Sequence, residues 1–168
     1  MSEVRIVDAM AAGRDADAAA IVFEYVAMTR GEVGRPVPRD VDELPEGLAA
    51  ECRALPSYYA PPGAILLAVG GVATDEAVWG CVGLVPLDAT TVKVQRLYVR
   101  PAQRRRGLAA ALMRAAHDHA RPHGFSRVVL SVMPTRGGAI ACYTSLGYVP
   151  IAPAHPDPYN LLWFGYEL

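Results

Sequence analysis

Apolar residues recur along this chain with two periods, and the switches between them mark out the elements. Residues 4–7 (VRIV) alternate and predict a first strand. Gly13 breaks it, and Asp15 or a neighbour can then cap a helix running to about Arg30. Ile21, Val22, Tyr25 and Met28 form its apolar face, and Asp15 and Asp17 suit the positive end of its dipole. Residues 31–63 hold no steady period. Six prolines between Pro36 and Pro62 make this the least regular stretch, with one short helix expected around 48–55. From residue 64 the pattern is that of strands. Residues 64–69 (AILLAV) are continuously apolar, as in a strand covered on both faces. Gly70-Gly71 and Thr74-Asp75 mark a turn, and 77–85 (AVWGCVGLV) predicts the next strand, with Gly80 and Gly83 at a bulge or a close contact. Val92, Val94, Leu97 and Val99 predict a central strand that stops at Pro101. A helix follows from Gly107 to about Arg121, ended by Pro122 and Gly124. Residues 127–133 (RVVLSVM) give a fifth strand, and 139–146 a short helix with Gly147 at its left-handed cap. Strands at 148–151 and 161–168 complete the pattern.

Strands and helices in this order predict an α/β (α+β) fold, one domain over 1–168. Its mixed, twisted sheet has about seven strands flanked by about four helices. The 168 residues suffice for one buried core, and 52% hydrophobic residues exclude a largely disordered chain. A net charge of −1 gives no global basicity, so no nucleic-acid partner is expected. Cys52, Cys81 and Cys142 are odd in number and widely spaced, which fits reduced thiols in a cytoplasm. The N-terminal MSEVRIVDAM lacks a long apolar stretch, so no secretory signal is expected, and no apolar run is long enough for a bilayer. Monomer and homodimer both stay open.

Candidate chemistry concentrates where the central strand meets its helix. After Pro101 come Gln103, Arg104, Arg105 and Arg106, then Gly107 and a helix opening with Leu108, Ala109 and Ala110. A helix start offers unpaired N–H groups and positive dipole charge, so strand, basic turn and helix together suit a phosphate. Three arginines alone would read as a solvated turn. Arg104-Arg105-Arg106-Gly107-Leu108-Ala109 resembles the R/Q-x-x-G-x-G/A signature of the GCN5-related N-acetyltransferases, the GNAT family. Leu97-Tyr98-Val99-Arg100-Pro101 is similar to that family's fourth strand, and 139–148 (AIACYTSLGY) to its A-x-x-x-Y-x-x-x-G-F/Y element. Two motifs in this order, about 30 residues apart, are far more specific than either alone.

The resemblance implies a GNAT-like fold. It also implies transfer of an acetyl group from acetyl-CoA to a primary amine of a small molecule, by direct attack in a ternary complex without a metal. In that reading Arg104, Arg105, Arg106, Gly107, Leu108, Ala109 and Ala110 grip the pyrophosphate. The strand at Leu97, Tyr98 and Val99 meets the pantetheine arm and the thioester, with backbone donors at Tyr98 and Val99. Tyr143 matches the family's general acid, against a purely packing role beside Ile140 and Leu146. Arg136 stands where relatives often have an Asn on CoA, and can reach a phosphate instead. Other departures are Arg105 and Ala109, where the family has glycines, and Lys93, where many relatives place a glutamate base. Asp88, Glu32 or a water chain can replace that base, and the spacing selects none.

Residues 31–63, which in the resembled family lie over the acceptor, hold a modest acidic excess that favours a cationic amine. Their arginines can equally hold a carboxylate, which makes an amino acid the acceptor. Acyl-CoA of longer chain, or a non-catalytic acyl-CoA sensor, are the competing functions. His117, His119 and His123 lie around a helix end whose Pro122 and Gly124 spoil metal-pair geometry, so they are expected to face solvent. Cys142 is expected to be buried and inert.

Overall fold

The continuously apolar residues 64–69 lie one strand in from an edge of the sheet. The computed structural model describes residues 4–72 and 75–168. Thr74 of the expected turn, and the first three residues of the N-terminal stretch, lie outside the described residues. The strands are β1 (Arg5–Asp8), β2 (Ala64–Val72), β3 (Asp75–Pro86), β4 (Thr91–Val99), β5 (Arg127–Val132), β6 (Val149–Pro150) and β7 (Leu162–Glu167). The helices are α1 (Asp15–Glu32), α2 (Glu46–Arg53), α3 (Leu55–Tyr58), α4 (Leu108–Ala120) and α5 (Gly137–Ser145). They build a seven-stranded mixed sheet in the order β1-β2-β3-β4-β5-β7-β6, antiparallel except where β4 meets β5.

Alternation along β2 explains why its sequence is apolar throughout. Ala64, Leu66 and Ala68 enter the core on one face, beneath α4 with Leu112 and Met113. Ile65, Leu67 and Val69 enter the core on the other, beneath α1–α3 with Ile21, Val22, Leu55 and Tyr59.

Several boundaries differ from expectation. Arg14, the neighbour of Asp15, holds the N-cap position of α1 without a side-chain cap bond, and its guanidinium pairs with Asp17 in the first turn at 2.7 Å. The expected helix at 48–55 is two, α2 and α3, because the chain bends at Ala54 (φ −126°) before Pro56. His117 is buried rather than solvent-facing. Its Nε2 lies 2.7 Å from the Tyr148 hydroxyl and its ring stacks on Tyr166, since its side of α4 turns inward. His119 and His123 do lie at the exposed end, their rings stacked 4.3 Å apart. Cys142 is only half-buried.

Candidate active site

β4 is shared between two neighbours only at its start. It pairs with β5 through Thr91, Val92 and Lys93 alone, while it pairs with β3 along almost its whole length. Beyond Lys93 the two strands part, and the β5-facing edge of β4 is left without a strand. The Arg100 N–H donates to the Trp79 carbonyl on the β3 side at 2.9 Å. Alternation therefore turns the Val99 amide toward the gap, and the Tyr98 amide toward β3. Of the two expected main-chain donors, Val99 is the one on the open edge. Tyr98 contributes its phenol instead, donating to Glu24 at 2.9 Å in the other core.

A bulge interrupts β4 at Arg96 and Leu97, which stand opposite Val82. Arg96 has φ +57°, a left-handed conformation uncommon for a side chain of its size. Glu51 holds it there. The two carboxylate oxygens accept from Nε at 3.0 Å and from Nη2 at 2.6 Å, and Glu51 is 1% exposed. Tyr59 donates to the same carboxylate at 2.6 Å, Gln95 donates to Tyr59 at 3.1 Å, and the Cys81 thiol donates to the Arg96 carbonyl at 3.2 Å. Desolvation and the adjoining Glu51 push the Tyr59 phenol far above its ordinary value, so it stays a donor. A Cβ on Gly83 would stand 2.6 Å from the Tyr59 ring, so the glycine is what lets this network close.

The strand then feeds the basic turn. Arg100 pairs with Glu24 (Nη2–Oε2 2.8 Å) and donates to the Val78 carbonyl, while Arg104 Nε donates back to the Val99 carbonyl at 3.0 Å. Arg105 (φ +61°) and Gly107 (φ +74°) are left-handed, a turn geometry that aims successive amides into one concavity. Among the described residues, the amides of 105–110 have no hydrogen-bond partner and no side chain caps α4. The first satisfied one is Ala111, on the Gly107 carbonyl at 3.0 Å. Arg106 lies over the Trp79 ring, and nothing stands within 4 Å of where a Gly107 Cβ would be. This row of free donors beside open space, in a turn that carries Arg104, Arg105 and Arg106, has the hydrogen-bonding groups and charge that suit a phosphate.

On the far side of the gap, α5 presents Tyr143, which is 6% exposed. Burial raises its phenol well above the ordinary value, and Arg136 nearby works in the opposite direction. Arg136 is turned toward α1. It donates to Tyr25 at 2.9 Å, to Thr29 at 2.8 Å and to Glu32 at 2.6 Å, tying the start of α5 to α1. Its Nε, Nη1 and Nη2 are all engaged there.

The carboxylates considered as bases are also engaged. Glu32 holds Arg136. Asp88 accepts from the amides of Thr90 and Thr91, both at 2.8 Å, in the β3–β4 turn, and those bonds hold its carboxyl below the usual value. Charges of the 31–63 segment likewise pair locally, Arg39 with Glu43 and Arg53 with Asp42. Lys93 meets no carboxylate. Its Nζ lies 2.9 Å from His155 Nε2 and 4.8 Å from the centre of the Trp163 ring. Desolvation, reinforced by Arg96, lowers its pKa.

Glu51 and His155 were not singled out by sequence. One signal for the bulge was present: the apolar positions fall on even numbers at Val92 and Val94 and on odd ones at Leu97 and Val99. That change of parity needs one extra residue for all four to face the same core, as they do.

With this geometry in place, comparison with known proteins is direct. The Acetyltransferase (GNAT) family matches residues 38–148. Human N-acetyltransferase 8 is 36% identical over 80 residues, 45% of this chain, and the chain spans only about a third (35%) of that protein's length. An acetyltransferase structure from Streptococcus agalactiae superposes with a TM-score of 0.74 at 15% identity, covering 99% of this chain and 98% of that one. The structure of yncA from Salmonella typhimurium, solved with its cofactor acetyl-CoA, superposes with a TM-score of 0.64 at 19% identity, covering 99% and 94%. The match over 38–148 contains the bulged strand, the phosphate-type turn and the tyrosine of α5, and the chain belongs to the GNAT acetyltransferase family.

Proposed function

We propose that this protein transfers an acetyl group from acetyl-CoA to a primary amine of a small molecule, by direct attack in a ternary complex. The observation that carries this reading is the unpaired edge of β4, which runs from the β4–β5 split into six free amides at the start of α4. Acetyl-CoA supplies an acetyl group already activated as a thioester. The amides of 105–110, with Arg104, Arg105 and Arg106, would hold its pyrophosphate. The Val99 amide would pair along the pantetheine arm, as an added strand does, and polarise the thioester carbonyl. Tyr143, kept protonated by burial, would give its proton to the departing sulfur. The amine would enter from the side of α1 and α2, where Tyr25, Arg96 and Lys93 lie.

The lack of an unengaged carboxylate there, among the described residues, is what favours the alternative of an acyl-CoA sensor. Release of free thiol from acetyl-CoA, in the presence of 1,4-diaminobutane, benzylamine or free amino acids, separates the two. Amine-dependent release is expected, and CoA binding without release from any of these would leave the sensor.

A further inference from the structure

An amine acceptor arrives at neutral pH as an ammonium ion and must lose a proton before its nitrogen can attack. Glu24, Glu32, Glu51 and Asp88 are each committed to an arginine or to a turn. Lys93 is the nitrogen base left on the acceptor side, at the last paired position before β4 and β5 part. Its Nζ is 2.9 Å from His155 Nε2. His155 Nδ1 lies 3.0 Å from the Pro156 carbonyl, which fixes the proton on Nδ1 and leaves Nε2 as an acceptor. The loop holding His155 is itself pinned. Asp157 accepts from the amides of Tyr159 and Leu161 and from Trp163 Nε1, and His155 packs edge-on against the Trp163 ring at 4.7 Å.

We propose, building on the acetyltransferase reading, that free-base Lys93 takes the ammonium proton of the acceptor amine and relays a proton to His155, which releases it to solvent.

The Nζ lone pair accepts the proton from the acceptor, a different Nζ–H passes to Nε2, and exposed His155 returns to its neutral form by giving a proton to water. Of the two protons that an ammonium gives up on becoming a secondary amide, one leaves by this relay. The other is balanced by the proton that ends on the departing sulfur, as the N–C bond forms and the C–S bond breaks.

The surroundings of Nζ suit a group that must hold a proton briefly. Desolvation and Arg96 on the same strand favour the free base, whereas Asp157 and the face of Trp163 favour the ammonium. Arg96, Asp157 and His155 are the titratable or charged groups that act on it. Val85, Val129 and Trp163, its neighbours on β3, β5 and β7, add none.

The test uses the full chain, acetyl-CoA and whichever of the three amine probes gives the highest wild-type rate. Lys93→Met and Lys93→Arg should each lower kcat/KM about 10²–10⁴-fold at neutral pH. The loss should shrink as rising pH supplies free amine, with CoA affinity and melting temperature unchanged. Lys93→Glu should recover part of the rate, because a carboxylate can also accept the proton. His155→Asn should lose less than Lys93→Met, because water can take its place. Wild-type activity in Lys93→Arg, or inactivity of Lys93→Glu equal to that of Lys93→Met, would show that the site needs something other than a base there, and would overturn this relay alone. A wild-type protein that binds CoA but acetylates none of the probes would overturn the enzyme reading and the relay together.

Discussion

A buried phenol is well suited to stay protonated and poorly suited to become an anion, and Tyr143 shows both sides of this. Its neutral form is the one favoured by desolvation, so it is a donor throughout the physiological range. Giving up the proton has a cost that the Arg136 charge partly offsets. Tyr143→Phe keeps the ring against Tyr148 and Phe164 and removes only the hydroxyl that carries the proton. Turnover should fall about 10²–10⁴-fold while acetyl-CoA affinity stays near wild type, the pattern of an interaction made chiefly in the transition state. Steady-state kinetics paired with calorimetric CoA binding reads this directly. Undiminished turnover would return Tyr143 to packing alone. The residue was legible from its spacing to Gly147, whose φ of +94° ends α5 as expected. Its proton balance was not, because Arg136 and Tyr25 reach it from elsewhere in the fold.

At the scale of the element, the turn between β4 and α4 works through its main chain more than through its arginines. Arg104 and Arg106 are partly occupied within the protein, whereas the amides of 105–110 are free. Gly107 sits at φ +74° with open space over its Cα, so a side chain there would project into the concavity without striking protein. Gly107→Glu therefore places bulk and negative charge where an anion belongs, at a backbone strain of about 1–2 kcal/mol for the left-handed geometry. CoA binding should be lost in a protein that still unfolds cooperatively, with Gly107→Ala as the control that carries the strain without the charge. Calorimetry on both variants, beside their melting curves, checks it; unchanged CoA affinity in folded Gly107→Glu would remove this turn as the site.

Across the whole molecule, the irregular segment between α1 and β2 is locked to the sheet by one buried carboxylate. Glu51 on α2 reaches Arg96 on the β4 bulge and Tyr59 just past α3, and thereby joins the cap over the acceptor side to the strand that splits. Removing one member of a buried pair leaves the other charge uncompensated, at a cost of roughly 3–5 kcal/mol. Glu51→Gln should lose stability of this order in denaturant unfolding, and Glu51→Leu combined with Arg96→Met should lose much less. A loss in the double variant equal to the sum of the losses in Glu51→Leu and Arg96→Met taken singly would mean that the pair is not coupled. The modest acidic excess of this segment, read along the chain as a field for a cationic amine, is thus reduced by two arginines from outside it, Arg96 on Glu51 and Arg136 on Glu32.

Much of what depends on neighbours in the chain was settled by the sequence, although the break between α2 and α3 at Ala54 was not. The two-faced core strand β2, the amphipathic α4, the phosphate-type turn and the α5 tyrosine with its glycine stop all arise from periods and residue preferences that act over a few positions. Even the bulge left its mark as a change of parity between Val94 and Leu97. Only the tertiary structure decided which polar groups would meet. Glu51 and Arg96 are 45 residues apart, Lys93 and His155 62, and Glu32 and Arg136 104. No local pattern distinguishes a glutamate that will be buried against an arginine from one that will stay in water, because their propensities along the chain are the same. Packing decides it, by removing water from one and leaving it around the other, and so it is packing that brought Lys93 and His155 within 2.9 Å of each other.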